Sequence, residues 1–345
     1  MVYVSPFARW IRFASLLVLL TLVATAIPNF SSAQARGAPA KAAAPAAQPA
    51  QPPAAKAKPI LTEATAPFSF DGDLRTLAQP APGQAGGDLT LPDPERAEQE
   101  SGRGAAAGAP ATSLRHADPG RANAVNAMPA PSVVFDGLSN ADNFTVFGGT
   151  VNPPDPTGDV GPNHYVQAVN LPFRIFDKSG TPLTPPTKIS SLFAAGPTNT
   201  PCDTADNGDP IVVYDTMADR WLITQFAVPG PDYYECIAVS KTGDPVAGGW
   251  WLYVVKSPFR IFNDYPKVTV WPDAYYLSAP MFPDAGGGIY GAVWALDRAA
   301  MLAGLPMRQY YVTTGNAFPR VLPSNLRGQA PPAGSPAYVM SFQLP

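Results

Sequence analysis

From about residue 132 onward the apolar positions fall in short runs, not in helical stripes. Asp209–Val255 is the clearest stretch. It reads DPIVVYDTMADRWLITQFAVPGPDYYECIAVSKTGDPVAGGWWLYVV, four β-branched or aromatic runs cut by Asp, Gly and Pro turns. These runs predict strands over Ile211–Tyr214, Trp221–Ala227, Tyr234–Ser240 and Trp250–Val255, with connections too short to hold a helix. Tyr165–Val169 and Phe173–Asp177 predict two more strands upstream, after the turn-rich segment Pro153–Asn163.

The runs repeat. YVQAVN from Tyr165, WLITQF from Trp221 and YYLSAP from Tyr275 recur about every 55 positions, each preceded by a polar turn. The strand before also recurs, as Asp209–Tyr214 and Tyr265–Val270. Four strands per repeat predict an all-β fold, a propeller-like array of four-stranded antiparallel blades. A β-sandwich is the alternative. The string PFRIF at Pro172–Phe176 and Pro258–Phe262 is off the period and reads as coincidence. Closed propellers need roughly four to eight blades, and Ser132–Pro345 has room for about three and part of another. The array is therefore expected to be incomplete at its C-terminus.

The first 131 residues follow other rules. Arg9 and Arg12 precede the apolar run Phe13–Ile27, and Ala33-Gln34-Ala35 follows as a small-x-small site. This predicts a signal peptide over residues 1–35, because a membrane anchor would need a run of roughly 20 apolar residues. Residues 36–131, rich in Ala, Pro and Gly, predict a disordered spacer. One island in it, Phe68–Leu74, is expected to dock on the folded domain, which is placed at 132–345. The expected location is secreted or at the cell surface, with no membrane span after signal cleavage.

Composition narrows the partners. The chain holds 43 Pro and 29 Gly, its net charge is −3 and only 14% of its residues are charged. No basic block or stripe is present, which speaks against nucleic acid.

Cys202 and Cys236 are the only cysteines, and in an exported chain an even count predicts a disulfide. Cys202–Asp209 (CDTADNGD) sets Asp203, Asp206, Asn207 and Asp209 around a glycine, oxygen ligands that suit Ca²⁺. An Asx-rich turn explains the same residues. Asp155 and Asp159 form a weaker candidate of the same kind. Thr242–Trp250 resembles the Asp-box turn of sialidase-like propellers, in which the Asp caps a turn and the Trp packs between blades. His164 is expected to hydrogen-bond its turn, and Asn143-Phe144-Thr145 is a glycosylation sequon with no expected use.

A glycosidase needs two carboxylates across a cleft, and a sialidase a Tyr with a Glu and an Arg cluster. Glu235 is the only Glu after residue 131, and Arg174, Arg220, Arg260 and Arg298 are the candidate cluster. Strand-end salt bridges and turn caps account for them equally, so no catalytic residue is assigned. Adjacent aromatic pairs on strands place one ring in and one out. Trp251, Tyr276 and Tyr311 are taken as outward members, candidates to bind a glycan or a surface protein.

Five segments, PPDPTGDVGPNHYVQAVN (Pro153–Asn170), GDPIVVYDTMADRWLITQF (Gly208–Phe226), CIAVSKTGDPVAG (Cys236–Gly248), DYPKVTVWPDAYYLS (Asp264–Ser278) and DRAAMLAG (Asp297–Gly304), together resemble a family of secreted bacterial proteins. Its members look like β-propellers joined to other surface modules. The resemblance implies fold and location, and blades beyond the position of Pro345; it brings no catalytic residues. An exported, non-catalytic binding or adhesion module is the function expected. A sialidase-like glycoside hydrolase with its site on the central face is the alternative.

Overall fold

The computed structural model describes residues 58–62, 64–77, 89–90 and 130–341. The expected signal peptide and most of the expected spacer lie outside the described residues. Four short strands come first: β1 (Ile60–Leu61), β2 (Phe68–Phe70), and the parallel pair β3 (Leu89–Thr90) and β4 (Val151–Asn152).

Three antiparallel sheets carry the all-β fold. The first is β5 (Thr157–Val160), β6 (His164–Ala168), β7 (Pro172–Asp177) and β8 (Thr187–Lys188). The second is β9 (Ile211–Asp215), β10 (Arg220–Ala227), β11 (Tyr234–Ser240) and β12 (Trp250–Lys256), with β2 added at its edge. The third contains β13 (Ile261–Asn263), β14 (Lys267–Val270), β15 (Ala274–Pro283), β16 (Tyr290–Asp297) and β17 (Gln309–Gly315), with β1 beside β17. A two-stranded hairpin, β18 (Leu322–Pro323) with β19 (Val339–Met340), follows. Among the described residues the α-helices are short connectors, Asn140–Phe147, Ile189–Ala195 and Arg298–Ala303.

Alternation along the strands explains why the runs are apolar throughout. Val212, Ile223 and Ala238 face the first sheet, where they meet Val166, Phe173 and Ile175. Their neighbours Val213, Leu222 and Ile237 face the third, against Val268, Leu277 and Trp294. A sheet covered on both faces needs apolar residues at both parities. The packing is close: a Cβ on Gly161 would lie 2.7 Å from the Trp221 ring. The far face of the third sheet, with Trp271, Tyr276 and Val293, is covered by Val321, Leu326 and Val339 from the hairpin region.

Tyr165, Trp221 and Tyr275 occupy matching places. Each is the second residue of the second meander strand, opposite Val160, Tyr214 and Val270 respectively. Each ring faces the preceding side of its sheet: Trp221 toward the first sheet, Tyr275 toward the second, and Tyr165 onto Phe135.

The innermost strands lie together. Val212 N–H donates to Thr157 Oγ1 (3.3 Å) and Tyr214 N–H to Asp159 Oδ2 (2.7 Å). Asn325 Oδ1 accepts from Val270 N–H (3.0 Å), while Arg327 donates to Tyr214 O (3.2 Å) and pairs with Asp159. Residues 325–327 thereby touch the first strand of all three meanders.

Order also extends upstream of Ser132. Phe68–Phe70 pairs with Leu252–Trp250, Leu74 N–H donates to Val246 O (2.9 Å), and the Leu74 side chain is fully buried. Ile60–Leu61 pairs with Tyr310–Tyr311. These segments cover the outer edges of the second and third sheets, which would otherwise present unpaired backbone groups. The docking expected of the Phe68–Leu74 island is what the structure shows.

Candidate functional site

The two ends of the strands differ. At one end the connections are turns held by single aspartates. Asp177 accepts from Ser179 and Thr181 N–H, Asp215 from Met217 and Ala218, Asp244 from Val246, and Asp297 from Ala300. In the Thr242–Trp250 turn, Asp244 caps and Trp250 is buried against the first sheet, with its Nε1–H on Pro245 O (3.2 Å).

The other end carries the crossings from one sheet to the next, and there the backbone is less relaxed. Asp155, Asn199, Asp209, Arg260 and Tyr265 all have positive φ there, against Asp219 alone at the turn end. Asp and Asn tolerate that region, but Arg260 (φ 62°) and Tyr265 (φ 48°) are outliers for their residue types. Cross-loop bonds hold Arg260 in place: its N–H donates to Pro231 O and its carbonyl accepts from Asp284 N–H, both at 2.9 Å. Such over-determined strain concentrates at functional sites.

Around these residues lies a half-exposed aromatic and charged surface. Phe259 is 63% and Tyr265 47% exposed. Lys267 Nζ sits 3.1 Å from the Tyr265 ring centroid. Tyr233 stacks on Phe262, donates its hydroxyl to Asp284 (2.7 Å), and is pushed up to about 12 by burial and by that carboxylate. Arg260 Nε lies 3.6 Å from the same carboxylate, and Lys256 pairs with Asp232 at 2.9 Å.

Beneath this surface, between the second and third sheets, is a buried polar cluster. Glu235, the second residue of β11, points toward the third sheet and is 1% exposed. Asn263 Nδ2 donates to its Oε2 at 3.0 Å. Burial pushes the Glu235 carboxyl up to about 8; the Asp209 carboxylate adds to the rise, while the Thr224 hydroxyl, Lys267 ammonium and Asn263 amide oppose it. Thr224 Oγ1 sits beside the carboxyl. It, Glu235 Oε1 and Asn263 Oδ1 are buried with no protein hydrogen-bond partner among the described residues.

The residues singled out in the sequence are scattered. Cys202 and Cys236 form the expected disulfide, fully buried, tying the turn Pro201–Asp203 to β11. The acids of the same loop do not converge on one centre. Asp203 accepts from Thr198 and Asn199, Asp206 from Ser190 and Gln225, and Asn207 Oδ1 from Val228 N–H, while Asp209 lies toward Glu235. Burial raises the Asp206 pKa, opposed by its Ser190 bonds. Asp155 accepts from Asn170 and Asp159 from Tyr214, so they too serve separate donors. No group of three or more His, Cys, Asp or Glu side chains able to hold a metal occurs among the described residues.

Of the three aromatics taken as outward, Tyr276 is buried, and Trp251 and Tyr311 are half-buried, because both faces of their sheets are covered. Tyr276 is 5% exposed on the far face of the third sheet. Tyr311 stacks on Trp294 at 4.9 Å between the second and third sheets. Trp251 packs against that same core, with Lys241 Nζ 3.8 Å from its ring centroid. Gly304, at φ 66°, leaves the room its ring needs, since a Cβ there would come within 2.5 Å.

Of the arginines, Arg298 chelates Asp215, Arg220 donates to Ala218 and Asp219 carbonyls, Arg174 donates to Thr184 O, and Arg260 faces Asp284. His164 Nε2 lies 3.9 Å from Asp244. Asn143 of the sequon is buried, accepting from Leu171 N–H and donating to Asn170 O. Phe259 and Asn263 had no signal in the repeat, because they lie in the connection between its units; Tyr265 opened a recurring segment, but nothing in the repeat marked its ring as exposed.

The fold and these surfaces define an all-β protein of stacked antiparallel sheets with one disulfide. No helix among the described residues is long and apolar enough to cross a membrane. Comparison with protein-family models, curated proteins and solved structures gives no match.

Proposed function

We propose that the chain is an exported, non-catalytic binding module of propeller-like build, and that its loop end takes glycans. Its kinship with the secreted bacterial propeller-like proteins it resembles is part of the same proposal. One observation carries the choice of face. Arg260 is held at positive φ by cross-loop bonds and Tyr265 also has positive φ, beside the exposed rings of Phe259 and Tyr265. An aromatic face stacks on the C–H face of a sugar, and flanking Arg, Lys and Asp groups bond its hydroxyls. The radial build is supported by the matched positions of Tyr165, Trp221 and Tyr275, and by the three inner strands meeting at residues 325–327. The disulfide supports an oxidising compartment.

The hydrolase alternative needs an accessible Glu and an arginine cluster. Burial of Glu235 and dispersal of the four arginines weigh against it. The test is a glycan array screened with the full chain. Retention of a related set of glycans is expected; no retention of any glycan, or release of cleaved product from the spots, would overturn the proposal.

A further inference from the structure

The buried cluster between the second and third sheets has the makings of a cation site. Glu235, Asn263 and Thr224 come from β11, β13 and β10, and each is 2% exposed or less. Each carries an oxygen with no protein hydrogen-bond partner among the described residues: Glu235 Oε1, Asn263 Oδ1 and Thr224 Oγ1. Asn263 spends its amide nitrogen on Glu235 Oε2, which leaves its carbonyl oxygen as the remaining function. A buried acceptor left unpaired costs on the order of 1–3 kcal/mol, so three together call for an occupant. The charges acting on Glu235 are mixed, the Asp209 carboxylate raising its pKa and the Lys267 ammonium lowering it, so the sign of the occupant follows from the three oxygens.

We propose that Glu235, Asn263 and Thr224, with Asp209 beside them, bind Ca²⁺ between the second and third sheets. Two carboxylates, an amide carbonyl and a hydroxyl are hard oxygen donors, the set that Ca²⁺ prefers and thiophilic metals do not. Donors fixed on three separate strands give an irregular shell. Ca²⁺ accepts such a shell, with waters completing it, whereas Mg²⁺ demands near-octahedral geometry. The site differs from the Asp203–Asp209 loop suggested by the sequence: only Asp209 is shared, and its partners come from outside that loop. A bound ion would brace the ends of β11 and β13, under the loop that carries Arg260 and Tyr265. The proposal does not depend on the glycan assignment.

The test uses the full chain stripped with EDTA. Added Ca²⁺ is expected to bind with Kd roughly 0.1–1 mM, in the range of extracellular modules, and at 10 mM to raise Tm by about 3–5 °C. Tb³⁺ is expected to bind the same site and to show luminescence sensitised by nearby Tyr rings. Glu235→Gln and Thr224→Val, both near-isosteric, are each expected to abolish the Tm rise and the Tb³⁺ signal, while Asp232→Asn keeps both. Absence of a Ca²⁺-dependent rise in the parent chain would overturn the site. So would persistence of rise and signal in Glu235→Gln, which would put the ion elsewhere. Should one variant not fold, the Tb³⁺ signal of the other decides.

Discussion

Asn263 and Glu235 join two sheets: the Asn263 amide donates across 3.0 Å to a carboxyl that is 1% exposed. With no cation present, burial holds that carboxyl's pKa at about 8, above its ordinary 4.5. Between these values the folded state keeps a proton that the unfolded chain has released. Stability is therefore greatest below about pH 4.5 for this group, falls as pH rises toward 8, and levels off above it. In EDTA, Glu235→Gln is expected to remove that slope and to exceed the parent chain at pH 8–9, by an amount on the order of a few kcal/mol. Urea midpoints from pH 5 to 9 measure it. Parallel curves for the two proteins would show that Glu235 ionises normally.

Asp215 and Arg298 make a charge pair inside the fold. Arg298 Nε and Nη2 meet the two carboxylate oxygens at 2.7 and 3.1 Å, and Tyr275 O–H donates to Oδ2 at 2.8 Å. The Asp215 side chain has no exposure. Arg298→Ala would strand a buried charge and is expected to cost about 3–5 kcal/mol. The double variant Asp215→Asn/Arg298→Met should recover part of this in equilibrium unfolding. A cost below about 1 kcal/mol for Arg298→Ala would mean that water relieves the charge.

Much of this architecture was legible beforehand. Strands β9 to β12 lie within about a residue of the runs that predicted them, since Asp, Gly and Pro turns punctuate β-branched segments sharply. The equivalence of Tyr165, Trp221 and Tyr275 was legible because the same ring position is covered in each unit, between sheets for Trp221 and Tyr275 and against Phe135 for Tyr165. The disulfide followed from an even cysteine count in a chain expected to be exported. The binding candidates did not follow. Alternation says that Tyr275 and Tyr276 face opposite ways, but a single sequence cannot say that both sides are covered, and Tyr276 lies under the hairpin region. The Asp203–Asp209 loop looked like a ligand set because sequence proximity is not convergence: Ser190, Thr198 and Gln225 claim those oxygens from other segments. The Glu235 cluster draws on β10, β11, β13 and the loop before β9, a juxtaposition that only tertiary packing creates.

The upstream island gives a separate check. Leu74 is fully buried beneath the β11–β12 connection, whereas Ile60 on the neighbouring edge strand is 60% exposed. Leu74→Ala is expected to destabilise by about 2–5 kcal/mol, and Ile60→Ala to stay within about 0.5 kcal/mol. Urea unfolding of the full chain distinguishes them. Equal, small effects would mean that the island is detached from the sheets.

The assignment of the loop end as the binding face is tested most directly by titrating the full chain and its Phe259→Ala/Tyr265→Ala variant against a glycan retained on the array. Both rings are exposed, so the substitutions should leave Tm nearly unchanged while weakening binding at least tenfold. Tyr338→Ala, an exposed ring (55%) on the hairpin region, should bind like the parent. Undiminished affinity in the double variant, or loss of affinity in Tyr338→Ala alone, would contradict the account.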